Sequence, residues 1–177
     1  MQKSYKQLLP NIKAFVFDID GVLTNSIFQI GADGKPVRNL NSKDGYAMQL
    51  AIKKGYIVGI ISGGHCDNVA SALKRLGMTD VYMKASHKIE AWKDLLAIYE
   101  YRGLRENQIL YMGDDIPDYE IMQRAGVACA PYDAVPEIRS LAHYVSYKKG
   151  GEGCARDVIE QTLKVQKNWM LKEDHIW

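Results

Sequence analysis

Apolar and polar positions follow two rhythms along this chain. Short apolar runs recur at residues 12–17, 56–61, 80–83, 108–112, 127–130 and 143–145. Runs of this length, bounded by polar residues and glycine, read as buried strands. Between them, apolar residues return at helical spacing. One such stretch passes through Tyr46 and Leu50 and stops at Gly55; another passes through Val69, Leu73 and Leu76 and stops at Gly77. Ile89, Trp92, Leu95, Leu96 and Tyr99 keep a helical period that ends near Gly103. A short helix holds Ile121 and Met122, with Pro117 suited to its first turn. Two more helices are expected at 135–141 and at about 155–167.

Strands alternating with helices predict βαβ units, and so an α/β fold with a Rossmann-like, mostly parallel sheet flanked by helices. One stretch breaks the alternation. SIFQIGADGKPVRNL, residues 26–40, has two alternating runs around Ala32-Asp33-Gly34-Lys35, which predicts a β-hairpin inserted at 27–39. No repeat, low-complexity tract or linker interrupts the 177 residues, so 1–177 is read as a single domain. The tail at 168–177 reads as polar and loose, although Trp169 and Trp177 call for packing partners.

Composition adds exclusions. Apolar residues make up 47% and charged residues 25%, as in a soluble globular protein. A net charge of +2 says little about a nucleic-acid or membrane partner, and neither is expected. No apolar run approaches the roughly 20 residues that span a bilayer, and the start, MQKSYKQLLP, lacks the apolar stretch of a signal peptide. Cys66, Cys129 and Cys154 are widely spaced with no CxxC, which reads as reduced thiols in a cytoplasmic protein.

The polar residues just past the strands carry the chemistry. In an open α/β sheet, ligands bind at the carboxyl ends of the strands. Asp18 and Asp20 follow the first run; Ser62, Gly63 and Gly64 follow the second. Lys88 lies beyond the third, and Gly113, Asp114, Asp115 and Asp118 follow the fourth. A buried strand ending in two acids needs compensation, because an isolated buried carboxylate is costly. A hard cation such as Mg²⁺, held by oxygen ligands from Asp18 and Asp114, would supply it. The set suits phosphoryl transfer. Asp18 can attack phosphorus to give an aspartyl-phosphate, and Asp20 can protonate the leaving alkoxide and then activate water. Ser62 and backbone N–H groups at Gly63 and Gly64 can bind phosphate oxygens, and Lys88 can neutralise transition-state charge. Ser62 could equally be a helix N-cap.

DIDGVLT at 18–24, ISG at 61–63, Lys88 and GDDIPD at 113–118 together resemble the four motifs of the haloacid dehalogenase superfamily, in its phosphatase branch. The resemblance implies a Mg²⁺ enzyme in which Asp18 is nucleophile and metal ligand. It further implies that Asp20 binds metal through its backbone carbonyl, that Asp114 binds metal, and that Asp115 or Asp118 orders the lysine or a metal-bound water. The gaps at 24–43 and 62–88 leave no room for a cap domain. The small capless sugar-acid phosphatases cover their sites by oligomerising, so a homotetramer is expected, with the hairpin over a neighbouring site. GGEGCARDVI at 150–159 looks like their C-terminal signature, with Arg156 helping to bind the sugar acid or order the site. The implied substrate is 3-deoxy-D-manno-octulosonate 8-phosphate, serving lipopolysaccharide synthesis. The 9-phosphates of 2-keto-3-deoxynononate and N-acetylneuraminate are alternatives. Two arginines of the family pattern are Gly64 and Ala72 here, and His65, Asn68 or Arg75 are candidates to replace them. A phospho-accepting receiver domain is the non-enzyme alternative; such a domain lacks the function of Asp20.

Overall fold

The computed structural model describes residues 4–32, 34 and 36–175. A short helix α1 (Tyr5–Leu8) leads into strand β1 (Ala14–Phe17). The two-residue strands β2 (Gln29–Ile30) and β3 (Pro36–Val37) precede helix α2 (Ser42–Lys53). Strand β4 (Ile57–Ile61), helix α3 (Asp67–Arg75), strand β5 (Asp80–Tyr82) and helix α4 (Lys88–Ile98) follow. Then come β6 (Ile109–Met112), α5 (Tyr119–Arg124), β7 (Val127–Ala130), α6 (Pro136–Leu141), β8 (Tyr144–Val145) and α7 (Cys154–Val165).

Six strands form one parallel sheet in the order β5-β4-β1-β6-β7-β8. Side chains alternate across a strand, so β1 splits its residues between two cores. Phe15 and Phe17 pack with Ala47 and Met48 of α2, Leu73 of α3 and Val158 of α7. Ala14 and Val16 pack on the other side with Trp92 and Leu95 of α4, Ile121 of α5 and Ile138 of α6. All four β1 side chains are fully buried. Burying a phenylalanine of this kind contributes about 1.5–3 kcal/mol, which is why β1 reads as a continuous apolar run.

The register sets up the site. Phe17 lies opposite Ile60 of β4 on one side and Met112 of β6 on the other. The three strands therefore end side by side, and the residues after them leave the sheet together. The chain turns both ways from β1 in the strand order, the arrangement in which a crevice opens at the strands' carboxyl ends.

Two expectations need correction. The hairpin is shorter than the alternating pattern at 26–40 predicts: β2 and β3 pair over two residues each, apart from the main sheet. Pro36 supplies no N–H to a longer ladder, and Ile27, Phe28 and Ile30 stay exposed because no second layer covers them. Asp33 and Lys35 of the expected turn, and Trp177, lie outside the described residues. The described part of the tail, residues 168–175, packs on the body instead of lying loose. Lys172–His175 form a 3-10 turn, the Tyr46 hydroxyl donates to the Asp174 carbonyl, and Lys54 Nζ lies 2.7 Å from Asp174 Oδ1. Trp169 packs against the core as its composition required. Among the described residues no helix is long and apolar enough to cross a membrane.

Candidate active site

Asp18 is the first residue past β1. Its backbone N–H still donates to Met112 on the neighbouring strand, which fixes its direction. Its side chain is 8% exposed. Oδ1 accepts from the Ile19 N–H at 2.7 Å, and Oδ2 lies 2.8 Å from Lys88 Nζ. The loop then turns sharply at Gly21, whose φ of +91° favours glycine. A Cβ there would lie 1.9 Å from Asp114 Oδ2, so only glycine lets the two loops meet.

Lys88 opens α4 and is buried, contrary to what a typical lysine would do. It spans two carboxylates, with Nζ 2.6 Å from Asp118 Oδ1 as well. Burial works against its charge, but Asp18 and Asp118 outweigh that and hold its pKa above the ordinary lysine value. Asp118 is fully buried and heavily used: Oδ1 also accepts from the Tyr111 hydroxyl at 2.6 Å. Its Oδ2 accepts from the backbone N–H of Asp114 and of Asp115. Asp118 is thus the acid that orders the lysine. Asp115 is exposed and instead accepts from the Ile116 N–H, capping the turn that carries Asp118.

Asp114 is the group left over. Its Oδ1 is buried and has no hydrogen-bond partner among the described residues. Asp18, Asp114 and Asp118 each place one carboxylate oxygen within 4.8 Å of the others'. Burial pushes the Asp114 carboxyl up to about 8, with the charges of Asp18 and Asp118 adding to it. Burial and the Asp118 charge likewise raise Asp18, against the pull of Lys88. An orphaned buried oxygen amid three close carboxylates is the donor set of a hard cation. Each Asp118 oxygen already accepts two hydrogen bonds, whereas each Asp18 oxygen has a single partner, so Asp18 and Asp114 are the residues that could hold it. The side chain of Asp20, named with them from the sequence, turns elsewhere: Arg38 forks onto both its oxygens, and Thr24 Oγ1 donates to Oδ1 at 3.4 Å.

Ser62 is 1% exposed, and its Oγ accepts from the Gly64 N–H at 3.2 Å. It caps no helix: α3 begins only at Asp67, after Cys66. Gly63 and Gly64 form the loop beside Asp20. Arg156 is not brought to this cluster within one chain. Its guanidinium lies over the Tyr46 and Trp169 rings and 3.4 Å from Glu160. The glycines before it do reach the site's scaffold, since the Gly151 N–H donates to Val22 and the Asn41 amide to the Gly151 carbonyl. Of the candidates to replace the family arginines, His65 and Asn68 line a cavity beside the hairpin. His65 sits 3.4 Å from exposed Asp67, and Arg75 ends α3 on another cavity wall. Arg38 was missed. It comes from the hairpin rather than from a strand end, 18 residues after Asp20, and no sequence pattern links the two.

A sheet of this order, with acids from two adjacent strand ends around a buried lysine, defines a haloacid dehalogenase-like hydrolase. The model of the haloacid dehalogenase-like hydrolase family matches residues 69–156. The 3-deoxy-D-manno-octulosonate 8-phosphate phosphatase of Yersinia pestis is 32% identical over 90% of this chain and 84% of its own. Its crystal structure at 1.95 Å superposes with a TM-score of 0.88 over 93% of this chain and 87% of that one. The corresponding enzyme of Moraxella catarrhalis, solved with magnesium, phosphate and its sugar acid, is 27% identical with a TM-score of 0.85, over 93% of each chain. This chain belongs to the haloacid dehalogenase superfamily, in the phosphatase branch that holds these relatives, and it is a phosphatase. The receiver-domain alternative falls with that assignment.

Proposed function

We propose that this protein is a Mg²⁺-dependent phosphomonoester hydrolase acting on 3-deoxy-D-manno-octulosonate 8-phosphate through an aspartyl-phosphate. The observation that carries the chemistry is the unpartnered, buried Asp114 Oδ1 within reach of Asp18, beside a lysine already committed to Asp118. The substrate is supported by the relatives named above.

In this reading Asp18 attacks phosphorus and the P–O bond to the sugar breaks. Asp20 gives its proton to the departing alkoxide, then removes one from water, which attacks the acyl phosphate and frees inorganic phosphate. Lys88 lies 2.8 Å from Asp18 and balances charge on the phosphoryl oxygens. Ser62 Oγ and the Gly63 N–H bind those oxygens, and Gly64, whose own N–H goes to Ser62 Oγ, allows close approach. Asp118 positions Lys88. Asp18, Asp114 and the Asp20 carbonyl would hold Mg²⁺, which would supply charge neutralisation. The exposed Ile27, Phe28 and Ile30 of the hairpin fit its use as the cover of a neighbouring site in a homotetramer, where Arg156 would serve. A cytoplasmic setting, in lipopolysaccharide synthesis, accords with the three free thiols.

The test is kcat/KM with Mg²⁺ across eight- and nine-carbon keto-sugar acid phosphates. The eight-carbon 8-phosphate is expected to lead by at least ~10-fold, within the range that pocket contacts supply. A nine-carbon 9-phosphate in the lead would move the substrate assignment to that class.

A further inference from the structure

The polar network that begins at Asp18 ends on a group with a hand free. Arg38, just past β3, donates from Nε to Asp20 Oδ1 at 2.7 Å and from Nη2 to Asp20 Oδ2 at 2.9 Å. Its side chain is 6% exposed. The Phe28 ring covers one face of the guanidinium, 4.9 Å from its carbon. Gly64 leaves the space the guanidinium occupies: a Cβ there would lie 3.0 Å from Arg38 Nη2 and 2.9 Å from Asp20 Oδ2. The remaining nitrogen, Nη1, is buried with no oxygen or nitrogen partner among the described residues; the Cys66 sulfur interacts with the guanidinium but is only a weak acceptor. Native proteins rarely leave such a donor unsatisfied, least of all on a charged group, unless a ligand completes it.

A cavity of about 740 Å³ opens at this point between the hairpin and the start of α3. Its lining includes Pro36, Arg38, His65, Cys66, Asn68 and Ala72. That volume holds a small polar molecule. Among the described lining residues Arg38 is the one lysine or arginine, and Asp67, the one acid, is 87% exposed and paired with His65.

We propose that Arg38 is a specificity-determining residue that binds a carboxylate on the alcohol portion of the substrate, in the cleft between β3 and α3. This rests on the phosphatase reading above. If Asp20 serves the leaving oxygen, the alcohol must extend on the Asp20 side of phosphorus, and Arg38 is the next cation it meets. A guanidinium donor bonds most strongly to an anionic acceptor, and its planar geometry matches a carboxylate.

The experiment compares kcat/KM for a keto-sugar acid phosphate and for a carboxylate-free aldose 5-phosphate, in wild type, Arg38→Met and Arg38→Lys. Both substrates expel a primary alkoxide, so any harm done through Asp20 enters both and cancels in their ratio. Arg38→Met is expected to lower the ratio about 10–100-fold, mainly through KM of the acid substrate, the loss typical of one charge-assisted hydrogen bond. Arg38→Lys is expected to restore part of it. An equal loss on both substrates, with the ratio unchanged, would overturn the proposal and leave Arg38 as a positioning residue for Asp20. Should the methionine variant fail to fold, wild type decides through competitive inhibition by the phosphate-free keto-sugar acid and by its carboxamide. The acid is expected to inhibit at least ~10-fold more tightly, and equal inhibition would overturn the proposal. A wild type inert toward every phosphate ester would overturn the phosphatase reading itself, and this inference with it.

Discussion

Asp18 and Lys88 are an acid and a base of opposite charge, 2.8 Å apart and almost wholly buried. Such a pair contributes little net stability, because desolvation of two ions offsets their attraction. Its presence is better explained by chemistry: the carboxylate is kept close to a cation and free of water until phosphorus arrives. Asp18→Asn keeps the side chain's size and removes its nucleophilic charge. It is expected to cut kcat by at least about 10⁴-fold, as loss of a nucleophile does elsewhere, with an unchanged circular dichroism spectrum. A variant that keeps near-normal kcat would mean the nucleophile is another residue. At this scale the sequence was informative where a residue's role follows from its strand. Asp18, Ser62 and Asp114 each stand just after a buried run, and the sheet brings those ends together. Arg38 was illegible for the opposite reason. It sits in a hairpin that touches the site from above, and its partner is set by the fold of a loop. The division of labour between Asp115 and Asp118 was also hidden, since only burial shows which of two neighbouring acids faces the lysine.

At the scale of elements, the contact between α2 and α7 frames the loop that carries Asp20. Asp44, in the first turn of α2, is 1% exposed, and its Oδ1 accepts from the Arg156 N–H in the first turn of α7 at 2.7 Å. One helix thus caps another. Burial pushes the Asp44 carboxyl up to about 6, against the pull of that hydrogen bond. Asp44→Ala is expected to cost about 1–2 kcal/mol, as other cap losses do. For a chain of this size that lowers Tm by roughly 3–6 °C, measured by differential scanning calorimetry. An unchanged Tm would show that α7 holds its start without the cap. The helices and main strands were readable because their apolar residues recur at helical spacing or stand in unbroken runs. Every main-sheet strand appears within two residues of its sequence boundary, because glycine and polar breaks mark both ends. The tail was not readable: its polar composition gave no sign that Asp174 would be drawn under Lys54 and Tyr46.

At the scale of the whole molecule, the site makes the fold sensitive to pH and to divalent cation. Asp18 and Asp114 both bind their protons more tightly folded than unfolded, Asp114 up to about 8. A raised folded pKa favours the native state below the ordinary carboxylate pKa of about 4, and that contribution fades as pH rises through the folded value. The metal-free protein is therefore expected to lose Tm steadily between about pH 4 and pH 8. Mg²⁺ should reverse the loss most strongly near pH 8, by about 2.7 kcal/mol at a hundred times its Kd. A metal-free Tm that rises across that range, or a Mg²⁺ effect no larger at pH 8 than at pH 5, would contradict the assignment of those two acids. The parallel sheet was legible from alternation alone, and the grouping of four distant segments followed from it. The metal-holding geometry was not, because it depends on which oxygens the backbone has already taken.

One measurement bears most directly on Asp18 as the acceptor of the phosphoryl group. The enzyme is mixed with Mg²⁺ and a phosphate ester and quenched in acid during turnover. The trapped protein is reduced with borohydride, and its peptides are read by mass spectrometry. Reduction of an aspartyl-phosphate leaves homoserine, so homoserine at position 18 is the expected result. Turnover with an intact aspartate there, or homoserine at any other position, would contradict it.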